Sequence, residues 1–390
     1  MPKLLLSANT DWYLYNFRLS LAEAARQQGF EVVLVSPAGK YVGELEKRGF
    51  CWQGWNLQRQ SVNPFIELRS LLHIAMLYRR QQPDLVHHHT AKSVLYGSLA
   101  ARLSGVGGVV NSITGRGYIY QTESFKARLL RRIVEPLYHL VFAYPRSAAI
   151  FENNDDRVYF IKRGLAPEER TWLIPGVGVD PERFAPAPEP AGSPVILLAG
   201  RLLWDKGVGV LVEAARRLRK RTAARVVLVG EPDLGNPSAV AADMLAQWQE
   251  EGVVEWWGWR SDMPSVYNQC HVVALPTAYG EGVPTALLEA AACGKPLVAS
   301  DIPGCRAVVH EGVTGFLVPP NDPQALAEAL ERLALDAQLR SRMGSAARQL
   351  VLDQFTHERI NAATLEVYRR ILNYDFTRDD QRVETPYRDP

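Results

Sequence analysis

Two glutamates, Glu281 and Glu289, stand in the stretch Tyr279–Ser300, YGEGVPTALLEAAACGKPLVAS. Glu281 falls in a Gly-flanked loop that follows an apolar strand, His271–Pro276. Pro284 suits the first position of the helix after that loop, where its missing N–H costs nothing. Glu289 then lies about one and a half turns into the helix. The N–H groups of Val283, Thr285 and Ala286 point out of the helix start, toward any anion placed there. The layout is a phosphate seat with one carboxylate on each side. Carboxylates that do not face a metal commonly accept hydrogen bonds from vicinal hydroxyls. A sugar joined to a nucleoside by a diphosphate fits that layout.

A second pair of charges supplies what a diphosphate needs. Arg201 and Lys206, in AGRLLWDKGVGVLVEA, follow an apolar strand and belong to a loop at its carboxyl end. A guanidinium and an ammonium on one such loop can bracket a diphosphate. Gly230 and Glu231 end the next strand, and Trp259 and Arg260 end the strand that carries Trp256 and Trp257. All four are candidate donor contacts. The alternative for the tryptophans is a place in the core.

These segments resemble family 4 (group 1) glycosyltransferases, the large retaining family of the GT-B fold. The family frame E-G-x-P-x-x-x-x-E-A-x-A-x-G-x-P-x-V is matched by Glu281, Gly282, Pro284, Glu289, Ala290, Ala292, Gly294, Pro296 and Val298. Its G-R-x-x-x-x-K-G element is matched by Gly200, Arg201, Lys206 and Gly207. The resemblance implies that Arg201 and Lys206 stabilise a departing nucleotide diphosphate. It implies that Glu289 holds the ribose and Glu281 the hydroxyls of the transferred sugar. Gly282, Val283, Pro284 and Thr285 then form the phosphate seat. It further implies a UDP-sugar donor, retention of anomeric configuration and no metal or other cofactor. No Asp-x-Asp occurs in the chain to bridge a metal to the diphosphate.

The elements that must position these residues come in two series. Apolar strands are expected at Lys3–Ser7, Glu31–Ser36, Leu85–His87, Val109–Ile113 and Ala148–Phe151, with helices over Phe17–Gln28 and Ser93–Leu103. The second series runs through Val195–Ala199, Arg225–Val229, Val253–Trp256, Val272–Leu275, Pro296–Ser300 and Gly315–Val318. Alternation of short apolar strands and amphipathic helices predicts an α/β doubly wound parallel sheet in each half. Two Rossmann-like domains across a cleft follow, with ligands at the carboxyl ends of the strands. The expected domains are 1–178 and 179–354. The Pro-rich run Phe184–Pro194 reads as a hinge or linker. A helix over Phe355–Asn373 returns to the first domain, as in GT-B proteins, and a polar tail, 374–390, is expected to be mobile.

The first half departs from the common family pattern. The loop after the first strand, Asn9–Phe17 (NTDWYLYNF), has no Gly, and the WYLYNFR form resembles a subgroup acting on sugars carried by lipid diphosphates. Asn16 and Arg18, at the first turn of a helix, are candidates to bind an anionic group of an acceptor. His87, His88 and His89 cannot all face one ligand, because alternate side chains of an extended strand point oppositely. His87, His89 and Lys92 match the family's H-x-H-x-x-K pattern, and His89 is the third acceptor-site candidate. Where many relatives carry a further His, this chain has Thr114.

Charge and composition narrow the partners. The chain has 390 residues and a net charge of +2. Residues 1–180 hold 22 Lys/Arg against 15 Asp/Glu, and the remainder 22 against 27. The basic half suggests an anionic surface or ligand. No nucleic-acid module shows its motif, so an anionic membrane surface is the expected partner. Arg128, Arg131 and Arg132, interleaved with apolar residues in Tyr118–Tyr144, suit a bilayer interface or the rim of a core helix. The four cysteines have no metal-ligand spacing, and no run is long enough to span a membrane. The expectation is a cytoplasmic, peripheral glycosyltransferase acting on a lipid-linked or soluble glycan acceptor. The alternatives are a nucleotide-sugar epimerase, a non-catalytic sugar-nucleotide binder and a nicotinamide-dependent enzyme, the last lacking a completed G-x-G-x-x-G.

Overall fold

The computed structural model describes residues 1–59, 61–115, 120, 125–233, 235–278 and 280–373. The expected mobile tail, 374–390, lies outside them, as do Tyr118 and Tyr279. The chain forms two compact units, one of residues 1–177 and 357–390 and one of residues 178–356.

The first unit is built on seven parallel strands in the order β3-β2-β1-β4-β5-β6-β7. These are β1 (Lys3–Ser7), β2 (Glu31–Ser36), β3 (Cys51–Gly54), β4 (Leu85–His89), β5 (Gly108–Ile113), β6 (Ser147–Phe151) and β7 (Thr171–Leu173). Its helices are α1 (Asp11–Tyr13), α2 (Leu19–Gln27), α3 (Val42–Lys47), α4 (Pro64–Gln81), α5 (Ala91–Ser104), α6 (Phe125–Phe142) and α7 (Asn154–Lys162). The period-2 pleat splits β1 between two cores. Leu4 and Leu6 pack with Leu21, Leu45, Leu365 and Tyr368. Leu5 packs on the other face with Ile74, Tyr78 and Ala101. The strands expected from apolar runs are all present. Two were missed, β3 and β7, and both are sheet edges. An edge strand is short and half covered, so it needs no apolar run and leaves no such signal.

The second unit has six parallel strands in the order β10-β9-β8-β11-β12-β13. They are β8 (Val195–Ala199), β9 (Arg225–Val229), β10 (Glu255–Trp256), β11 (Val272–Leu275), β12 (Leu297–Ser300) and β13 (Gly315–Val318). The helices are α8 (Val208–Leu218), α9 (Ala242–Glu250), α10 (Met263–Asn268), α11 (Thr285–Ala292), α12 (Pro303–Arg306), α13 (Pro323–Leu335) and α14 (Ala337–Gln354). The last helix, α15 (His357–Asn373), returns to the first unit. There Ile360, Leu365, Tyr368 and Ile371 join the core with Leu4 and Val110.

The run Phe184–Pro194 is not a free linker. Phe184 is buried, Glu189 takes two bonds from the Arg340 guanidinium at 3.0 and 2.5 Å, and the Pro190 carbonyl is 3.0 Å from His271 Nε2. Its low propensity for helix or strand says nothing about side-chain anchors supplied from far along the chain.

Candidate functional site

In the second unit, the loops after β8, β9 and β11 meet backbone to backbone. Gly230, at the end of β9, has φ +133°, and a Cβ there would sit 1.8 Å from the Gly200 carbonyl oxygen. Only glycine permits that approach. Gly207 has φ +77°, and a Cβ there would meet the Pro276 carbonyl at 2.0 Å. The close packing brings the loop after β8 against the loop after β11, where Ala278 N–H and Thr277 Oγ1 each donate to the Asp205 carbonyl at 3.0 Å.

Lys206 and Glu281 are thereby joined. Lys206 Nζ lies 2.5 Å from Glu281 Oε1, with both side chains largely buried. The family resemblance gave them separate roles, the diphosphate for Lys206 and the transferred sugar for Glu281, and nothing in the spacing signals their pairing. Arg201 is about half exposed, and its Nη1 donates to Asp233 Oδ2 at 2.9 Å. The Arg201 and Lys206 cations are thus tethered by carboxylates at a strand's carboxyl end.

The helix after Glu281 begins one residue later than expected. Pro284 is the N-cap residue, with φ −67° and ψ 117°, and α11 starts at Thr285. The first intrahelical bonds run from Leu287 and Leu288 N–H to the Pro284 carbonyl, at 3.0 and 3.3 Å. The amides of Thr285 and Ala286 precede them, as an anion-binding helix start requires.

Glu289 sits inside α11, and its Oε2 accepts from the Tyr267 hydroxyl at 2.9 Å. Burial pushes its carboxyl up to about 7, opposed by the Tyr267 hydrogen bond and by the charge of Arg183. Tyr267, on α10, was invisible in the sequence because no spacing links it to Glu289. Gly230 is fully committed through its backbone: its N–H donates to the Gly258 carbonyl at 2.8 Å and its carbonyl accepts from Trp256 Nε1 at 2.9 Å. The Arg260 guanidinium binds both Asp262 oxygens, at 2.7 and 2.5 Å, on the exposed surface. Trp256 and Trp257 are half-buried, whereas Trp259 is exposed.

The first unit is arranged otherwise. The segment expected as a loop, Asn9–Phe17, is helical from Asp11 and continues as a π-helical turn, Leu14–Arg18, into α2. Thr10 caps it, accepting from Tyr13 N–H at 3.1 Å. Asp11 accepts from Tyr41 N–H at 2.7 Å and so fastens the loop after β2. Arg18 is therefore not at a helix start. It is buried, donates to the Tyr13 hydroxyl at 2.9 Å and lies 3.8 Å from Glu152 Oε1. The absence of Gly pointed away from a phosphate loop but did not reveal the continuous helix. Asn16 is exposed, and its Nδ2 donates to the Trp12 carbonyl at 2.9 Å.

The three histidines divide as the strand period requires. His87 and His89 share a face, ring centroids 3.9 Å apart, while His88 lies 2.9 Å from the Tyr78 hydroxyl and 2.8 Å from Asn111 Oδ1. All are buried. Burial holds the ring pKa of His87 and His89 well below the ordinary value and pushes His88 down to about 4. His87 Nδ1 is 2.6 Å from the Tyr368 hydroxyl of α15. Among the described residues neither ring nitrogen of His89 has a hydrogen-bond partner. Lys92 is spent on structure, reaching the Gln58 and Ser61 carbonyls and Glu67 at 2.6–2.9 Å. Among the described residues no group of three His, Cys, Asp or Glu could hold a metal ion.

Comparison with known proteins gives the family and the fold. Residues 179–350 match the model of glycosyl transferases group 1, and residues 3–154 that of glycosyl transferase 4-like proteins. A Campylobacter jejuni protein named N,N'-diacetylbacillosaminyl-diphospho-undecaprenol alpha-1,3-N-acetylgalactosaminyltransferase is 29% identical, over 92% of this chain and 96% of its own. An Escherichia coli UDP-Gal:alpha-D-GlcNAc-diphosphoundecaprenol alpha-1,3-galactosyltransferase is 29% identical over 69% of this chain and 71% of its own. Among solved structures, Anabaena HepE in complex with UDP superposes with a TM-score of 0.76 at 20% identity, covering 95% of this chain and all of that one. With family matches across both units and the paired-sheet architecture, the chain belongs to the group 1 glycosyltransferases, retaining enzymes of the GT-B fold.

Proposed function

We propose that this enzyme transfers a hexose or N-acetylhexosamine from a UDP-sugar to a sugar carried on a polyprenyl diphosphate, in the assembly of a cell-surface glycan. The observation that carries the reading is the Lys206–Glu281 pair beside the first turn of α11, with Arg201 on the same loop as the lysine. Arg201 and Lys206 offset the charge that develops on the leaving diphosphate, and the α11 amides receive its oxygens. Glu281, held by Lys206, accepts from hydroxyls of the transferred sugar. Glu289 accepts from the ribose hydroxyls, and backbone groups near Gly230 and Arg260 line the base. The leaving oxygen takes the acceptor's proton on the same face, and the protein contributes mainly position and charge.

The acceptor class is drawn from the relatives, two of which are named for undecaprenyl-diphosphate-linked sugars. Asn16, exposed on the π-helical turn, and His89, at the carboxyl end of β4, are the residues of the first unit assigned to the acceptor. Because protein cations stabilise the diphosphate, no divalent metal is required. Among the described residues no helix is long and apolar enough to cross a membrane, which suits an enzyme peripheral to its cytoplasmic face.

The test is a panel of UDP-sugars offered with detergent-dispersed polyprenyl-diphosphate sugars, with and without EDTA. A lipid-linked disaccharide formed from one donor, at equal rate in EDTA, is the expected result. Transfer to water-soluble glycans alone would overturn the acceptor class, and loss of activity restored only by Mg²⁺ or Mn²⁺ would overturn the roles of Arg201 and Lys206.

A further inference from the structure

One helical layer of the first unit turns apolar residues outward. On α4, Phe65, Leu68, Leu72 and Met76 recur at helical spacing and are 84, 53, 52 and 61% exposed. At about 100° per residue they form a single stripe, bordered by the exposed Arg69 and Arg79. The buried face of the same helix is occupied by Ser70, Ile74, Leu77 and Tyr78. On α6, Phe125, Leu129, Ile133 and Leu140 are likewise exposed, with Arg128 and Arg132 among them. Arg131, expected to share that surface, is instead half-buried.

The two stripes belong to one layer. α4 and α6 both pack on α5, and Arg79 and Arg102 tie the three together by donating to the Leu103 and Leu140 carbonyls at 3.3 and 3.4 Å. The layer is also nearly without negative charge. The only acidic residues of α4, α5 and α6 are Glu67 and Glu135, and both are turned into ion pairs, with Lys92 and Arg163 at 2.9 Å each. The layer on the opposite face of the sheet differs. Its exposed residues include Arg26 and Gln27 on α2, Glu44 and Lys47 on α3, and Glu358 and Arg369 on α15. A polar, mixed-charge surface is the ordinary solvent face of a helix layer.

We propose that the α4–α6 layer is a docking surface for an anionic lipid bilayer, with the Phe65–Met76 and Phe125–Leu140 stripes entering the headgroup boundary and the arginines meeting lipid phosphates. Apolar stripes rimmed by arginine, with no exposed carboxylate, match that surface in both hydrophobicity and sign. A water-soluble protein partner would not require two parallel stripes that share one charge. The inference extends the lipid-linked acceptor reading, since such an acceptor presents its diphosphate at headgroup level, but it is tested without any acceptor.

The full chain is sedimented with vesicles of phosphatidylcholine and phosphatidylglycerol and with vesicles of phosphatidylcholine alone. Binding is expected to the anionic vesicles at low salt and to weaken as salt rises. Leu68→Glu/Leu72→Glu and Leu129→Glu/Ile133→Glu should each weaken it by about tenfold or more, since apolar contact is lost and charge of the wrong sign is gained. Arg369→Glu on the opposite layer changes net charge by the same amount and should leave binding as it was. Thermal melting and UDP binding of each variant report the fold. Independently, an environment-sensitive fluorophore on Leu72→Cys, in a Cys51→Ser background because Cys51 is the exposed cysteine, should shift to the blue on adding anionic vesicles. Wild-type binding that is absent at low salt, or unchanged in both double variants, overturns the proposal. So does a dimer in solution that those variants dissociate, because the face would then be covered by a second copy. Transfer to detergent-dispersed acceptor is read separately, so failure of docking and failure of the acceptor class are distinguishable.

Discussion

The loops that follow β8 and β1 occupy the same place in their two sheets and treat their cations in opposite ways. After β8, Gly207, together with Gly230 from the loop after β9, lets the backbone of neighbouring loops close in, and Arg201 remains about half exposed on its Asp233 tether. After β1 the chain runs straight into helix, and Arg18 is carried inward to Tyr13 and Glu152. The first arrangement presents charge to a ligand. The second spends it on the interior, where a charge persists only with partners. Similar sequence position therefore does not imply similar use.

The comparison is broken most readily at Arg18. Arg18→Met takes the buried guanidinium away from Tyr13 and Glu152, and removing one partner of a buried pair costs about 3–5 kcal/mol. Thermal or urea unfolding should show that loss, whereas Arg201→Ala should leave stability within about 0.5 kcal/mol because exposed pairs contribute little. Equal stability of the two variants would erase the distinction.

A slightly smaller effect is expected on catalysis from the second unit. Lys206→Ala or Arg201→Ala should lower kcat by a factor corresponding to about 3–4 kcal/mol, as for other groups that stabilise developing charge. Lys206→Ala should also raise KM, because Glu281 loses the ammonium that orients it. Near-wild-type kcat in a folded variant would remove both cations from the leaving-group role.

Glu289 sharpens the contrast within one residue. Its carboxyl is pushed up to about 7 by burial, so between the ordinary carboxylate range and pH 7 the folded chain holds more protons than the unfolded one. Stability therefore falls as pH rises through that window. Ribose hydroxyls donate to the carboxylate form, so UDP affinity should rise with pH up to about 7 and then level off. Glu289→Gln should bind UDP about tenfold more weakly and lose this pH dependence. At pH 8 it should be more stable than the wild type by on the order of 1–3 kcal/mol. Calorimetric titration and urea unfolding at pH 5.5 and 8, chosen to straddle the value of about 7, would check both signs.

The sequence by itself determined the paired parallel sheets, because buried strands of such sheets are apolar on both faces and leave continuous runs. It also singled out Arg201, Lys206, Glu281 and Glu289, since glycine and proline at fixed offsets mark a turn and a helix start whatever surrounds them. Tertiary structure alone decided the rest. The Lys206–Glu281 and Tyr267–Glu289 contacts join segments whose separation no local pattern encodes. The burial of Arg18, the anchoring of Phe184–Pro194 and the edge strands β3 and β7 likewise depend on what packs against them. The outward stripe of α4 is the plainest case. Periodicity reports that a helix has two faces and not which one the sheet will cover.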